Sequence, residues 1–351
     1  MTDVRLLIPQ GMKPADVRAS RIDAPVRRLS GATMGTGWSL SFAAEEDVAN
    51  THVIAALDET FALVIRQMSG WEPQSDLCQF NRAAPGWREL QPEFFHVLAR
   101  ALEIAALTEG AYDPALGAVV DRLGFGPTPL VIPEARSAIR DPSGQHDSLA
   151  MDPGSPLRFG RDDTRWRDVQ LDAANLRAYQ PGGVALDLSS IAKGYAVDLC
   201  AERLRGLGVP SVLMEIGGEF VGQGVKPDAQ PWWVALELAE TAPAPGEPPG
   251  TDVALVNLSV ATSGDFVRRR EGVSHLLYGR TGEALSGELS GVAVMHARCM
   301  DADGWATALF ALGLSEGLAV AEGQGLAAVF AQRTADGART HLTAAAQAMT
   351  G

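Results

Sequence analysis

The run from Val184 to Gly218, VALDLSSIAKGYAVDLCAERLRGLGVPSVLMEIGG, constrains the architecture more than any other part of the chain. Val184–Leu188 reads as a short strand. Ser189-Ser190 turns it into a helix whose Ala196, Leu199, Cys200 and Leu204 recur at helical spacing, and Gly206 or Gly208 stops that helix. A second strand follows over Ser211–Ile216 and ends at Gly217-Gly218. A helix bound so closely to two strands must pack on a sheet. Elsewhere helical and strand patterns mix without regular βαβ alternation, which makes the expected class α+β.

The other periodic segments agree. Trp38-Ser39-Leu40-Ser41-Phe42 alternates with the period of a half-buried strand. Val53, Ala56, Leu57, Phe61, Val64 and Met68 share one face of a helix over 51–68. A second helix is expected from Pro92 to Thr108, ending at Gly110. Residues 1–29 read as a polar arm, 30–315 as a single large mixed domain, and 316–351 as a segment packed on that domain. Residues 127–163, rich in Pro, Gly, Asp and Ser, read as an irregular excursion, and 241–251 (TAPAPGEPPGT) as a low-complexity loop.

Charge narrows the function. A formal net charge of -14 and a pI near 4.9 exclude a protein that binds nucleic acid through a basic face. A phosphorylated ligand is repelled by the same field and needs local compensation from backbone N–H groups, a lysine or a metal ion. The three cysteines, Cys78, Cys200 and Cys299, lie far apart and read as core thiols rather than metal ligands or disulfides. The first thirty residues lack an apolar run of signal-peptide length, no cysteine precedes Cys78, and no membrane span is expected. A cytoplasmic protein is the expectation, or a periplasmic one if the N-terminus was trimmed.

Several short constellations carry possible chemistry. Asp303 and Thr307 are four apart, so on a helix they project from one face; an anionic and a neutral oxygen at that spacing suit Mg²⁺. The competing reading is a helix cap, a role for which neighbouring Asp301 also qualifies. Ser189-Ser190 opens a helix, where free N–H groups bind an anion or a serine simply caps. Ala261-Thr262-Ser263-Gly264-Asp265 admits close backbone approach to a ligand, or forms a tight turn. His275 is a side chain able to accept a hydroxyl proton near neutral pH. Met34-Gly35-Thr36, Trp71 and Tyr112-Asp113-Pro114 offer apolar and aromatic surface beside a carboxylate, with Trp71 able to stack on a flat ring.

The order of these segments resembles that of the ApbE family of FAD:protein FMN transferases. Gly31-Ala32-Thr33-Met34-Gly35-Thr36 is similar to the family's opening Met-Gly-Thr. Met68-Ser69-Gly70-Trp71, with Ser75-Asp76-Leu77 and Asn81, resembles its serine–aromatic segment, and Gly110-Ala111-Tyr112-Asp113-Pro114 with Gly117 its Gly-x-Phe-Asp segment. The run Asp187–Asp198 resembles the most diagnostic motif, with Gly217-Gly218 following. Ala261–Asp265 resembles Thr-Ser-Gly-Asp, and Ala302-Asp303 with Thr307 the metal-binding segment. The resemblance covers roughly residues 30–315.

It implies FAD contacts at Met34, Trp71, Ala111, Tyr112, Asp113, Asp187 and Lys193 and near Leu277. It implies Mg²⁺ on Asp303, the Thr307 hydroxyl and backbone oxygens near Ser190 and Ala306, with His275 as the base. The expected reaction is transfer of FMN from FAD to a Ser or Thr hydroxyl of a target protein, with release of AMP. An FAD pyrophosphatase that uses water instead, or a flavin-binding module without catalysis, are the alternatives. Two departures stand out: Tyr278-Gly279 replaces the family's Asp-Pro after the histidine, and Ala115 replaces a threonine. Glycine frees a backbone that proline would fix, so the His275 loop is expected to sit differently.

Overall fold

The eight strands of the central sheet explain why its most buried sequences show no alternation. In Leu289–His296, Val292 and Val294 enter one core while Ala293 and Met295 enter another. Phe330 and its neighbours Val329 and Ala331 divide the same way. Both faces of these two strands are covered, and period two is therefore invisible in their hydropathy.

The computed structural model describes residues 4–13, 24–44, 48–127, 165–239, 243–265, 269–270, 273–285 and 287–350. The central sheet runs, edge to edge, Gly337–Leu342, Ala327–Thr334, Leu289–His296, Leu258–Gly264, Glu219–Gln223, Ser211–Ile216, Thr36–Ala43 and Val26–Thr33. Every neighbouring pair in it is antiparallel. One face is covered by helices. These are α1 (Asn50–Met68), α2 (Asp76–Arg82), α3 (Pro92–Leu107), α5 (Ala192–Gly206) and α6 (Cys299–Gly323), while α4 (Gly117–Arg122) packs in a small separate cluster with Leu116 and Leu277, and α7 (Ala344–Gln347) packs through Ala346 on the opposite face. The other face is covered by a three-stranded sheet of Arg5–Leu7, Thr251–Leu255 and Trp232–Ala235. The class is α+β, as the mixed pattern predicts.

The helix over 51–68, the helix from Pro92 and the strand through Trp38–Phe42 all form where the apolar spacing places them. Two features differ. Arg5–Leu7, within the stretch read as a polar arm, is a strand, and Leu7 is fully buried. Val184–Leu188 is not a strand: only Ala185 makes a bridge, to Leu116. Its backbone is taken by irregular partners instead. Asn81 accepts from Leu186 N at 2.8 Å and donates to Leu186 O at 2.9 Å, and Asp187 N donates to Pro114 O at 2.8 Å. A side chain and a loop thus satisfy the groups a ladder would have used. The excursion read over 127–163 lies outside the described residues from 128 on, as do 241–242 of the Pro-rich loop.

Helix α6 is long and apolar enough to cross a membrane by length and composition alone. Here it is a core helix: Trp305, Leu309 and Phe310 are buried, and it packs on α5 and on the strands Leu258–Gly264 and Leu289–His296. It also buries Asp301 and Asp303, which only specific partners can sustain. Cys200 and Cys299 are buried free thiols, as their spacing suggests, and Cys78 is half-buried.

Candidate active site

The site is built where α5 and α6 cross. The Gly194 Cα sits so close to α6 that a β-carbon there would lie 2.4 Å from the Cys299 carbonyl oxygen and 2.8 Å from Asp303 Cβ. At this crossing each helix caps the other. Gly194 N, an orphan donor in the first turn of α5, donates to Asp303 Oδ2 at 2.9 Å. Asp198 of α5 accepts from Cys299 N at 2.7 Å and Met300 N at 2.9 Å, the first free donors of α6. Burial pushes the Asp198 carboxyl up to about 6, against the pull of those two N–H groups.

This settles the capping alternatives. Asp303 caps a helix, but a neighbouring one. Asp301 caps none: it is fully buried between Arg100 and Arg298, each at 2.5 Å. Ser189 and Ser190 precede the helix, whose N-cap position is Ile191 without a side-chain cap. The Ser190 hydroxyl instead donates to the Tyr112 hydroxyl at 3.0 Å.

Lys193 reaches across the same crossing. Its Nζ lies 2.7 Å from Glu219 Oε1 and 3.7 Å from Asp303 Oδ1. Burial alone would lower the lysine, but the carboxylates of Asp303 and Glu219 outweigh it and hold the ammonium above its usual range. Burial raises both carboxyls, with Lys193 opposing. Two carboxyl groups thus share one ammonium, and Glu219 Oε2 has no hydrogen-bond partner among the described residues. One turn along α6, Thr307 Oγ1 lies 3.0 Å from Ser263 Oγ, at the end of the strand Leu258–Gly264. Ala261–Asp265 is therefore a strand end rather than a turn. Asp265 is itself buried against Arg333.

These residues fit a magnesium ion. The donors are hard oxygens, a carboxyl group and hydroxyls, in a cluster that sets two carboxyl groups against one ammonium. Asp303 Oδ1 stands further from Lys193 than a hydrogen bond reaches. Ala306 is buried in α6 between Asp303 and Thr307, and Ser190 lies in the turn before α5.

The residues expected to meet FAD fall into two groups. Ala111 and Tyr112 are buried, and Tyr112, raised by burial, keeps its proton. Asp113 is 9% exposed; its Oδ1 accepts from Ala115 N at 2.7 Å while Oδ2 has no hydrogen-bond partner among the described residues. Burial, opposed by the Ala115 N–H and Arg167, pushes its carboxyl up to about 7. Asp187 is tied to its own turn, accepting from Ser189 N at 2.8 Å. Met34 and Trp71 make no hydrogen bond to this cluster through any described side chain. Met34 and Gly35, at φ 48° and 75°, form the two-residue tip of the hairpin Val26–Ala43. Beside that tip, Gly217 N donates to Gly37 O at 3.1 Å. Trp71, 66% exposed, leaves its indole open to a ligand. Leu277 is buried with Leu116 and Val119, a packing position.

His275 links the short strands Val273–Ser274 and Leu277–Tyr278, half-buried, with its ring 6.1 Å from that of Phe125. The departure at Tyr278-Gly279 has a local reason. Gly279 N donates to Ala111 O at 2.8 Å, and a β-carbon at Gly279 would lie 2.1 Å from Gly110 O. A proline has neither the donor nor the room. Arg280 adds a bond to Thr108 O at 3.0 Å and an ion pair to Glu316 at 2.7 Å. The His275 loop is thus stitched to the Tyr112 segment. Glu219 and Asp198 went unread as site residues; a charge just after a Gly-Gly turn, at an inward strand position, was the available signal for Glu219.

An antiparallel sheet thus carries a buried acid–lysine cluster where two helices cap each other. The ApbE family model matches residues 34–330. An FAD:protein FMN transferase of Haemophilus influenzae is 31% identical over 345 residues, 95% of this chain and 94% of that protein. One from Vibrio cholerae serotype O1 is 30% identical over 322 residues, 88% of each chain. Among solved structures, the apo flavinyl transferase ApbE of Pseudomonas stutzeri superposes with a TM-score of 0.76 at 30% identity, covering 93% of this chain and 98% of that one. The flavin transferase ApbE from Vibrio cholerae gives 0.74 at 25% identity, over 92% and 99%. The chain belongs to the ApbE family.

Proposed function

We propose that this protein transfers FMN from FAD to a Ser or Thr hydroxyl of a target protein, releasing AMP, in a Mg²⁺-dependent reaction. The observation that carries the reading is the buried Asp303, one turn from Thr307 and facing Lys193, in a cluster short of positive charge. In a chain of net charge -14, a divalent cation held here would supply the local positive charge that a pyrophosphate needs. The names of the relatives support the flavin and the protein acceptor.

Asp303 and Thr307, with backbone oxygens at Ser190 and Ala306, would hold Mg²⁺, which polarises phosphoryl oxygens and stabilises the AMP leaving group when bound. Lys193 supplies a fixed ammonium beside Asp303. Trp71 offers a face to the flavin ring, and Met34, Ala111, Tyr112, Asp113 and Asp187 line its approach, with Leu277 packed behind. His275 takes the proton of the incoming hydroxyl as that oxygen attacks the FMN phosphorus. The product is an FMN phosphoester on the target protein.

The test is AMP release from FAD and Mg²⁺ with and without candidate acceptor proteins, alongside in-gel flavin fluorescence. Asp303→Ala is expected to lower AMP release by at least a hundredfold, the scale of one lost electrostatic stabiliser. Undiminished release removes Asp303 from the reaction. AMP at full rate without acceptor makes water the nucleophile, and a yellow protein that releases no AMP is a binding module.

A further inference from the structure

Glu219 has no part in the reading above, yet it is the closest charged group to Lys193. It opens the strand Glu219–Gln223 directly after Gly217-Gly218, whose φ values of 61° and 101° make a tight turn. It is held in register opposite Ile216 in the middle of the sheet, and is only 3% exposed. A buried carboxylate is costly where an apolar residue would pack, so its presence calls for an electrostatic role. The geometry shows one: Lys193 Nζ is drawn to 2.7 Å from Glu219 Oε1 and left 3.7 Å from Asp303 Oδ1.

We propose that Glu219 is a positioning residue that holds the Lys193 ammonium off Asp303 and so keeps the Oδ1 edge of Asp303 for a divalent cation. The inference rests on Asp303 as the magnesium ligand and deepens that reading. Without Glu219, Lys193 has Asp303 as its near carboxylate and closes on it to about 2.8 Å, a contact ion pair. A cation must then displace the ammonium. With an effective dielectric constant of about 20, the tighter pair costs roughly tenfold in cation affinity, about 1.4 kcal/mol.

The test is calorimetric titration of the full-length, EDTA-treated protein with MgCl₂ and no FAD, paired with thermal melts to confirm folding. Glu219→Gln is expected to bind Mg²⁺ about tenfold more weakly. Glu219→Asp keeps the charge but shortens the reach by one methylene, and is expected to weaken binding in the same direction. The double variant Glu219→Gln/Lys193→Met, with no ammonium left to compete, is expected to return toward wild-type affinity. Wild-type affinity in Glu219→Gln overturns the inference. A double variant as weak as Glu219→Gln also overturns it, since Glu219 Oε2 would then bind the ion directly. A wild-type protein that binds no Mg²⁺ overturns the Asp303 reading beneath it, and the inference with it.

Discussion

Replacing Gly194 by alanine tests whether the α5–α6 crossing holds the site together. The new methyl would meet the Cys299 carbonyl oxygen at 2.4 Å, its carbon at 2.7 Å and Asp303 Cβ at 2.8 Å. The first two are backbone atoms inside a core helix, and no rotamer change relieves them. Overpacking of this kind costs about 1–3 kcal/mol. Separating the helices also stretches Gly194 N–H···Asp303, a bond to a charged group worth about 1.5–3 kcal/mol. Alanine's better helix propensity returns up to about 1 kcal/mol. The net loss is about 2–5 kcal/mol. With an unfolding entropy of about 2.1 cal/mol/K per residue, a chain of this length loses roughly 3–7 °C in Tm. The assay is a thermal melt by circular dichroism with AMP release on the same samples. Gly206→Ala is the control, because a β-carbon at Gly206 meets no atom within 4 Å and should leave Tm unchanged or slightly higher. If Gly194→Ala melts with the wild type and releases AMP normally, the crossing is looser than described and the reciprocal capping does not position Asp303.

Two further outcomes follow from burial and exposure. Asp113 is raised to about 7 in the folded protein, so between about pH 4 and 7 the folded state keeps a proton that the unfolded chain has released. Its stabilising contribution is full below about pH 4 and lost as pH rises through 7, on the order of 4 kcal/mol; Asp113→Asn should flatten urea-measured stability across that window, and an unaltered slope would refute the assignment. Trp71→Ala removes an indole that is 66% exposed, so Tm should stay within about 1 °C, while the KM for FAD rises about two- to tenfold if the ring stacks on the flavin. An unchanged KM in AMP-release kinetics would take Trp71 out of the flavin site.

What the sequence made legible was local periodicity and the order of motifs. The stripe from Val53 to Met68 announces α1 because one face is buried and the other is wet. Leu289–His296 announces nothing by alternation because both its faces are buried. Val184–Leu188 misleads because its apolar run is satisfied by Asn81 and the Pro114 loop, partners far away in sequence. The site shows the same division. Asp303 and Thr307 are readable as a pair because helical geometry fixes their spacing. That Asp303 caps α5 while Asp198 caps α6, or that Glu219 divides Lys193 from Asp303, depends on how two helices and a strand meet.

The same contacts explain why the diagnostic run from Asp187 to Asp198 continues past Lys193 to residues that meet only the neighbouring helix. Lys193, in the middle of that run, faces Asp303; Gly194 admits α6 beside it, and Asp198 at the end of the run holds the first turn of the helix that carries Asp303. Neither helix can shift along the other without breaking bonds to the capping carboxylates, Asp303 on one and Asp198 on the other. A strained or displaced Asp303 is thereby made costly in the resting protein, so the oxygen pair of Asp303 and Thr307 is set before any ligand arrives.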